Sequence, residues 1–173
     1  MDMKDQPRVS FSIPTGEPSQ PIIRSPKRRG EVVELAFLCK AVSLGFSVAQ
    51  PYGDSECYDF IVHSRADSPP KPGKKSSSRL CRVQVKSTER FRKGGYLIGA
   101  CHFSVHGTKQ SYTADQIDFL VAFIVPENAW YVLPVRAFVP HKWLSFYPQN
   151  PHSRGRFEPY REAWDLMAHP RTP

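Results

Sequence analysis

The run Cys81-Arg82-Val83-Gln84-Val85-Lys86-Ser87 alternates apolar and polar residues as a strand does, so Gln84 and Lys86 share one face and Val83 and Val85 the other. Long polar side chains on a strand belong to a solvated face or to a site. Two acids precede them: Asp59, at the start of an earlier apolar run, and Glu34, in a segment with helical spacing. This set suits phosphodiester hydrolysis, which must aim water at phosphorus in line with the leaving oxygen and stabilise charge on the phosphate. A hard cation on oxygen ligands meets the second need. Asp59 offers a carboxylate oxygen, Gln84 an amide oxygen, and Val85, between the two site-facing side chains, its backbone carbonyl. Lys86 could orient or help deprotonate the attacking water and offset developing charge. Glu34 could reach the same cation, directly or through water, or help hold a second. Glu31 competes with it, since both fall in what reads as the first helical turn.

The elements that must position these residues follow from periodicity. After Lys27-Arg28-Arg29-Gly30, apolar residues at 33, 37, 41 and at 35, 38, 42 predict a helix that stops at Gly45. An acid in its first turn would also serve the helix dipole, the commoner role for a lone glutamate such as Glu34. Phe46 to Ala49 reads as a short strand. The turn-rich Pro51-Tyr52-Gly53-Asp54-Ser55-Glu56 follows, with Asp54 a turn residue rather than a ligand. Strands are expected over 58–63, 80–87 and 96–105, and a hairpin over 117–125 and 130–135 joined by Pro126-Glu127-Asn128-Ala129. A helix over 158–167 closes the chain. The fold class is α+β, or mixed α/β: five or six strands in a mainly antiparallel sheet with a helix on one face.

Residues 1–25 read as a flexible arm and 64–78, rich in Pro, Lys and Ser, as a solvated hairpin tip within a domain over 26–140. Residues 141–173 are an extension with a short helix packed on or beside that domain. Its Trp143, Phe146, Tyr147 and Trp164 suit the core or an interface. Phe119, Phe123, Trp130 and Tyr131 are expected in the core, and Tyr112 and Asp118 in structural roles.

A chain of 173 residues suits one domain, and a net charge of +8 with a pI near 9.5 points to an anionic partner, nucleic acid being the commonest. Arg90, Arg92 and Lys93, just after the Lys86 strand, and Lys71, Lys74, Lys75 and Arg79 about the hairpin tip are candidate phosphate contacts; the bland alternative is solvated surface. The four cysteines, at 39, 57, 81 and 101, form no CxxC pair, which excludes zinc-ribbon spacing. Cys39, Cys81 and Cys101 lie in apolar runs and read as buried free thiols of a reducing compartment. His102 and His106 have no third ligand nearby in sequence and are not read as a metal pair. No apolar run reaches membrane-spanning length and the N-terminus is not signal-like, so no membrane partner and a cytoplasmic location are expected.

The order Glu34, Tyr58-Asp59, Gln84-Val85-Lys86 resembles the PD-(D/E)XK nuclease superfamily, and most of all its group I intron-associated homing endonucleases, whose triplet is commonly Gln-Val-Lys. Archaeal Holliday-junction resolvases are more distantly similar. The resemblance takes in Gly30-Glu31-Val32-Val33-Glu34, Pro51-Tyr52-Gly53-Asp54, Tyr58-Asp59-Phe60-Ile61-Val62 and Arg82-Val83-Gln84-Val85-Lys86. It continues through Tyr112-Thr113-Ala114-Asp115-Gln116-Ile117-Asp118-Phe119 and the strand Trp130 to Val135. It implies a restriction-endonuclease-like core and a Mg2+-dependent DNA endonuclease, with Mn2+ able to substitute. It further implies a metal site at Asp59, Gln84, Val85 and Glu34, with Lys86 catalytic. Glu34, four residues after Gly30, is then the leading acid in preference to Glu31. Two departures stand out. Tyr58 replaces the usual Pro, and Gln84 replaces an acid, which removes one negative charge from the metal site but is tolerated in the intron-associated branch. One site cuts one strand, so a double-strand cutter is expected to be a homodimer or higher homo-oligomer on DNA. Two other expectations stand beside this one: a non-catalytic DNA-binding module that keeps the fold, and a structure-specific, junction-resolving nuclease.

Overall fold

The computed structural model describes residues 25–53, 55–64, 78–150 and 155–168. The expected arm, the hairpin tip with Lys71, Lys74 and Lys75, and Asp54 lie outside the described residues. In chain order the elements are α1 (Pro26–Ser43), β1 (Ser47–Ala49), β2 (Phe60–Ser64), β3 (Arg79–Thr88), β4 (Phe91–Arg92) and β5 (Gly95–Gly99). They continue with β6 (Cys101–Phe103), β7 (Lys109–Ser111), β8 (Phe119–Ile124), β9 (Ala129–Pro134), β10 (Trp143–Phe146) and α2 (Asp165–Ala168). Five strands form the main sheet in the order β1-β2-β3-β8-β9, antiparallel except for β3 beside β8. A smaller sheet has the order β10-β5-β4, and β6 with β7 makes a two-stranded ribbon.

The main sheet is covered on both faces. On one, Val33, Phe37 and Ala41 of α1 pack with Val83, Val85, Phe119 and Val121, and the Phe37 ring lies 5.0 Å from Phe60 and 6.1 Å from Trp164. On the other, Leu120, Ala122 and Ile124 meet Tyr96, Ile98, Leu144 and Phe146 of the smaller sheet. Coverage on both faces is why β8 and β9 read as unbroken apolar runs rather than alternating ones. Phe119, Phe123, Trp130 and Tyr131 are core residues, as expected.

Several local expectations are corrected. The helix starts at Pro26, with Ser25 at the N-cap, so Glu31 and Glu34 lie past its first turn and a dipole role for Glu34 falls away. Pro at the first helical position is the signal that marks this start. Of the two apolar stripes on α1, 33/37/41 is buried while Leu35 and Val42 face solvent. The run 96–105 is not one strand. It breaks at buried Ala100, whose N–H donates to the Lys142 carbonyl at 2.8 Å, and the chain passes from the smaller sheet into the ribbon. The stretch 158–167 is not one helix but a 3-10 turn, Glu158–Tyr160, and the single turn of α2. Arg161 between them bridges to Tyr131 and covers the outer edge of β9. All four cysteines are free, but Cys39 is exposed, Cys57 and Cys101 are half-buried, and only Cys81 is buried.

Residues 141–150 supply β10, and Trp164, Leu166 and Met167 enter the core on the α1 side. Gly95 is required where it stands: a Cβ there would lie 2.6 Å from the Tyr147 ring and 2.8 Å from the Phe146 carbonyl oxygen. Just before it, Lys93 and Gly94, with φ of 51° and 79°, make the two-residue turn between β4 and β5.

Candidate active site

Asp59 sits one residue before β2 and is fixed at both ends. Its N–H donates to the Val83 carbonyl at 2.9 Å, and its Oδ2 accepts the Val85 N–H at 2.8 Å and the Gln84 amide nitrogen. The register that sets Phe60 opposite Val83 continues to set Asp59 opposite Gln84. Gln84 is only 6% exposed and lies on the middle strand of the sheet, so it belongs to no solvated edge. Its amide nitrogen is also 3.3 Å from the Val85 carbonyl oxygen, which leaves the amide oxygen as the remaining acceptor. Lys86, two residues on and half-buried, shares this face.

Electrostatics tie Glu34 and Lys86 to the same point. Burial holds the Asp59 carboxyl above its ordinary range, opposed by the Val85 N–H, the Lys86 ammonium and the Gln84 amide. Burial likewise raises Glu34; the Asp59 charge adds to this, Lys86 opposes it, and Glu31 contributes least. Glu31 itself is exposed and paired with Arg28 at 3.3 Å. A pocket of about 240 Å³ opens beside Glu34, lined by Glu31, Leu35, Leu38, Gln50 and Phe60. The structure thus brings together Glu34, Asp59, Gln84, Val85 and Lys86, with Glu31 on the pocket rim.

The basic candidates divide. Arg90, Arg92 and Lys93 are exposed around the β4 turn, and no ion pair among the described residues engages them. Arg79 is half-buried at the start of β3 with its guanidinium 5.6 Å over the Phe119 ring, far along the strand from Lys86. The His102 ring lies tilted 5.3 Å from that of Tyr112 and His106 is exposed in a turn; among the described residues no three His, Cys, Asp or Glu side chains form a metal cluster.

Arg82 is a residue that sequence reasoning passed over. Its Nε is 3.1 Å from Asp118 Oδ2, its Nη2 donates to the Ala114 carbonyl at 2.7 Å, and its Nη1 donates to the Asp115 carbonyl. It clamps the turn 113–118 onto β3 two residues from Gln84. The signal was present, since Arg82 shares a strand face with Gln84 and Lys86 and Asp118 precedes the paired strand. A second tie, Arg29 to Glu89 at 2.9 Å, joins the start of α1 to the residue after β3.

The donor set suits a hard divalent cation. It comprises two partly buried carboxyls, an amide and a backbone carbonyl, all oxygen donors, and Mg2+ is ordinarily held by one or two carboxylates together with substrate phosphate oxygens and water. Two acids raised by burial, Glu34 further raised by the Asp59 charge, also mark a place that positive charge would relieve.

A main sheet with one parallel pair, a helix carrying an acid against it, Gln84 and Lys86 on its middle strand and Asp59 opposite Gln84 at the head of β2 define a nuclease of restriction-endonuclease-like fold. The chain belongs to the PD-(D/E)XK endonuclease family, whose profile matches residues 24–166. It is similar to a solved bacterial homing endonuclease, I-Ssp6803I, with 25% identity over 83% of this chain and 93% of that one and a TM-score of 0.66. No curated protein matches its sequence. Among the described residues no helix is long and apolar enough to cross a membrane.

Proposed function

We propose that this protein is a Mg2+-dependent DNA endonuclease of homing type, which hydrolyses phosphodiester bonds at the cluster of Glu34, Asp59, Gln84, Val85 and Lys86. The observation that carries the reading is Asp59 Oδ2, held by the Val85 N–H and the Gln84 amide on the face that Lys86 shares. Asp59, Gln84 through its amide oxygen, the Val85 carbonyl and Glu34 would hold Mg2+, with Mn2+ able to substitute. When bound there, the ion would supply Lewis-acid stabilisation of charge on the scissile phosphate and a lowered pKa for water.

The chain's own groups do the rest. The Lys86 ammonium lies close enough to both carboxyls to counter their charge, and so to lower the barrier to a phosphate approaching two acids. Lys86 would also orient or help deprotonate the attacking water, while Glu34, on the pocket beside α1, would reach the cation directly or through water. Gln84 is neutral, so the site holds two acids rather than three, which lowers repulsion of the DNA backbone at the cost of cation affinity. Net charge of +8 and the exposed Arg90, Arg92 and Lys93 favour a polyanion. The similarity to a homing endonuclease supports the homing-type reading, and one site per chain supports a homodimer or higher oligomer for double-strand cutting.

The test is nicking and linearisation of supercoiled plasmid with Mg2+, with Mn2+ and with chelator, beside four-way junctions. Metal-dependent cutting that vanishes in Lys86→Ala is expected. Absence of cutting on every substrate, with salt-sensitive DNA binding retained, would instead establish a non-catalytic binding module.

A further inference from the structure

We infer that the β6–β7 ribbon is a DNA-contact element that enters a groove beside the phosphate held at Asp59. The inference rests on the endonuclease reading and concerns surface that the catalytic cluster leaves unused.

The ribbon is anchored to β3 through the turn that follows it, where Arg82 Nε lies 3.1 Å from Asp118 Oδ2 and Nη2 donates to the Ala114 carbonyl at 2.7 Å. Ser111 ends β7, and the next residue, Tyr112, is buried, its hydroxyl pushed up by burial and next by the charge of Asp59. His102 ties down this root, its ring packed at a tilt 5.3 Å from that of Tyr112 and meeting the Gln116 amide at 3.2 Å. From there the ribbon runs outward, with Phe103 paired opposite Lys109.

What the ribbon presents is apolar, cationic and preorganised. Phe103 is 67% exposed, Val105 96% and Trp143, on neighbouring β10, 50%. Lys109 Nζ lies 5.8 Å over the Phe103 ring and 4.8 Å over Trp143, joining the two rings into one patch. The tip is a fixed turn: Ser104 N–H donates to the Thr108 carbonyl at 2.9 Å, Gly107 N–H to the Ser104 carbonyl at 2.8 Å, and Gly107 takes a φ of 73°. A rigid turn holding an almost fully exposed valine at its tip costs solvation unless something covers it.

Charge selects the occupant. Residues 90–114 carry four Lys or Arg and no acid, and residues 128–157, which include β10, likewise carry four and none. The ribbon, β10 and the segments that flank them in sequence therefore carry only positive formal charge. A two-stranded ribbon matches the width of the major groove. There Lys109 can meet a phosphate while Val105 and Phe103 meet thymine methyls or base edges.

The experiment follows binding of the full-length chain to a fluorescein-labelled mixed-sequence duplex in chelator, by anisotropy across a salt series. Val105→Asp is expected to weaken binding about tenfold or more by setting a charge against the groove, and Lys109→Ala to lower the log–log salt slope by about one. Melting temperatures of both should match the unaltered chain, since both side chains are exposed. A p-benzoylphenylalanine placed at Val105 should cross-link to the duplex on illumination. Unchanged affinity in both variants, with no cross-link to DNA, overturns the assignment. So do a protein–protein cross-link and loss of oligomer in Val105→Asp, which would make the patch an interface between copies. If the unaltered chain fails to bind duplex at all, it is the endonuclease reading that falls.

Discussion

Asp59 and Val85 are joined by a side-chain-to-backbone hydrogen bond of 2.8 Å that holds the acid to the middle strand of the sheet. Because the donor is main chain, no side-chain change at position 85 short of proline removes it, and the bond ties site geometry to strand pairing. Asp59→Asn keeps an acceptor for that N–H and loses only the charge. It is expected to fold normally and to lose at least ~100-fold in plasmid cleavage. Asp59→Ala leaves the Val85 N–H without its partner and should cost roughly 1–3 kcal/mol in urea unfolding. Equal stabilities of the Asn and Ala variants would contradict this.

The raised carboxyls set a pH dependence of stability. An acid whose folded pKa exceeds its unfolded value binds protons more readily when folded, so stability falls as pH rises from the unfolded towards the folded pKa. Both Glu34 and Asp59 have this sign, and burial is the largest cause for each. In chelator, the melting temperature of Glu34→Gln relative to the unaltered chain should therefore be higher at neutral pH than at pH 4. Added Mg2+ should stabilise the unaltered chain at neutral pH and lose that effect as pH falls. A Glu34→Gln difference that does not vary with pH would remove the electrostatic coupling from this account.

Gln84→Glu would put a third acid among Glu34, Asp59 and the Val85 carbonyl. In chelator the variant should be less stable at neutral pH than the unaltered chain, since another buried carboxyl joins two that already repel. With metal the order should reverse, and the Mg2+ concentration giving half-maximal cleavage should fall. A titration in which that concentration is unchanged or rises would show that Gln84 lies outside the metal shell.

Arg82→Ala should release the turn 113–118 from β3. The half-exposed ion pair and two carbonyl contacts are lost, while the Arg82 N–H to Asp118 Oδ2 bond at 2.8 Å is main chain and stays. The expected cost is about 2 kcal/mol in urea unfolding. Amide exchange should speed up at residues 113–118, next to Tyr112 and the ribbon root. Faster exchange spread evenly over the sheet would point instead to general destabilisation.

The sequence by itself determined what local periodicity can carry. The alternation in 81–87 assigned Gln84 and Lys86 to one face, and the apolar runs around Pro126 marked the β8–β9 hairpin. The order of acid, acid, amide and lysine disclosed the family. Tertiary structure decided what depends on partners distant in the chain. Pairing β3 with β2 on one side and parallel β8 on the other made it the middle strand, so Gln84 is buried against Asp59 rather than solvated. That Glu34 is half-buried and Glu31 exposed came from which stripe of α1 met the sheet, since 33/37/41 and 35/38/42 are equally periodic. The break at Ala100 and the pairing of β5 with β10 were hidden for the same reason: a strand's hydrogen-bonding partner leaves no mark on its own pattern of residues, only on the surface it finally covers.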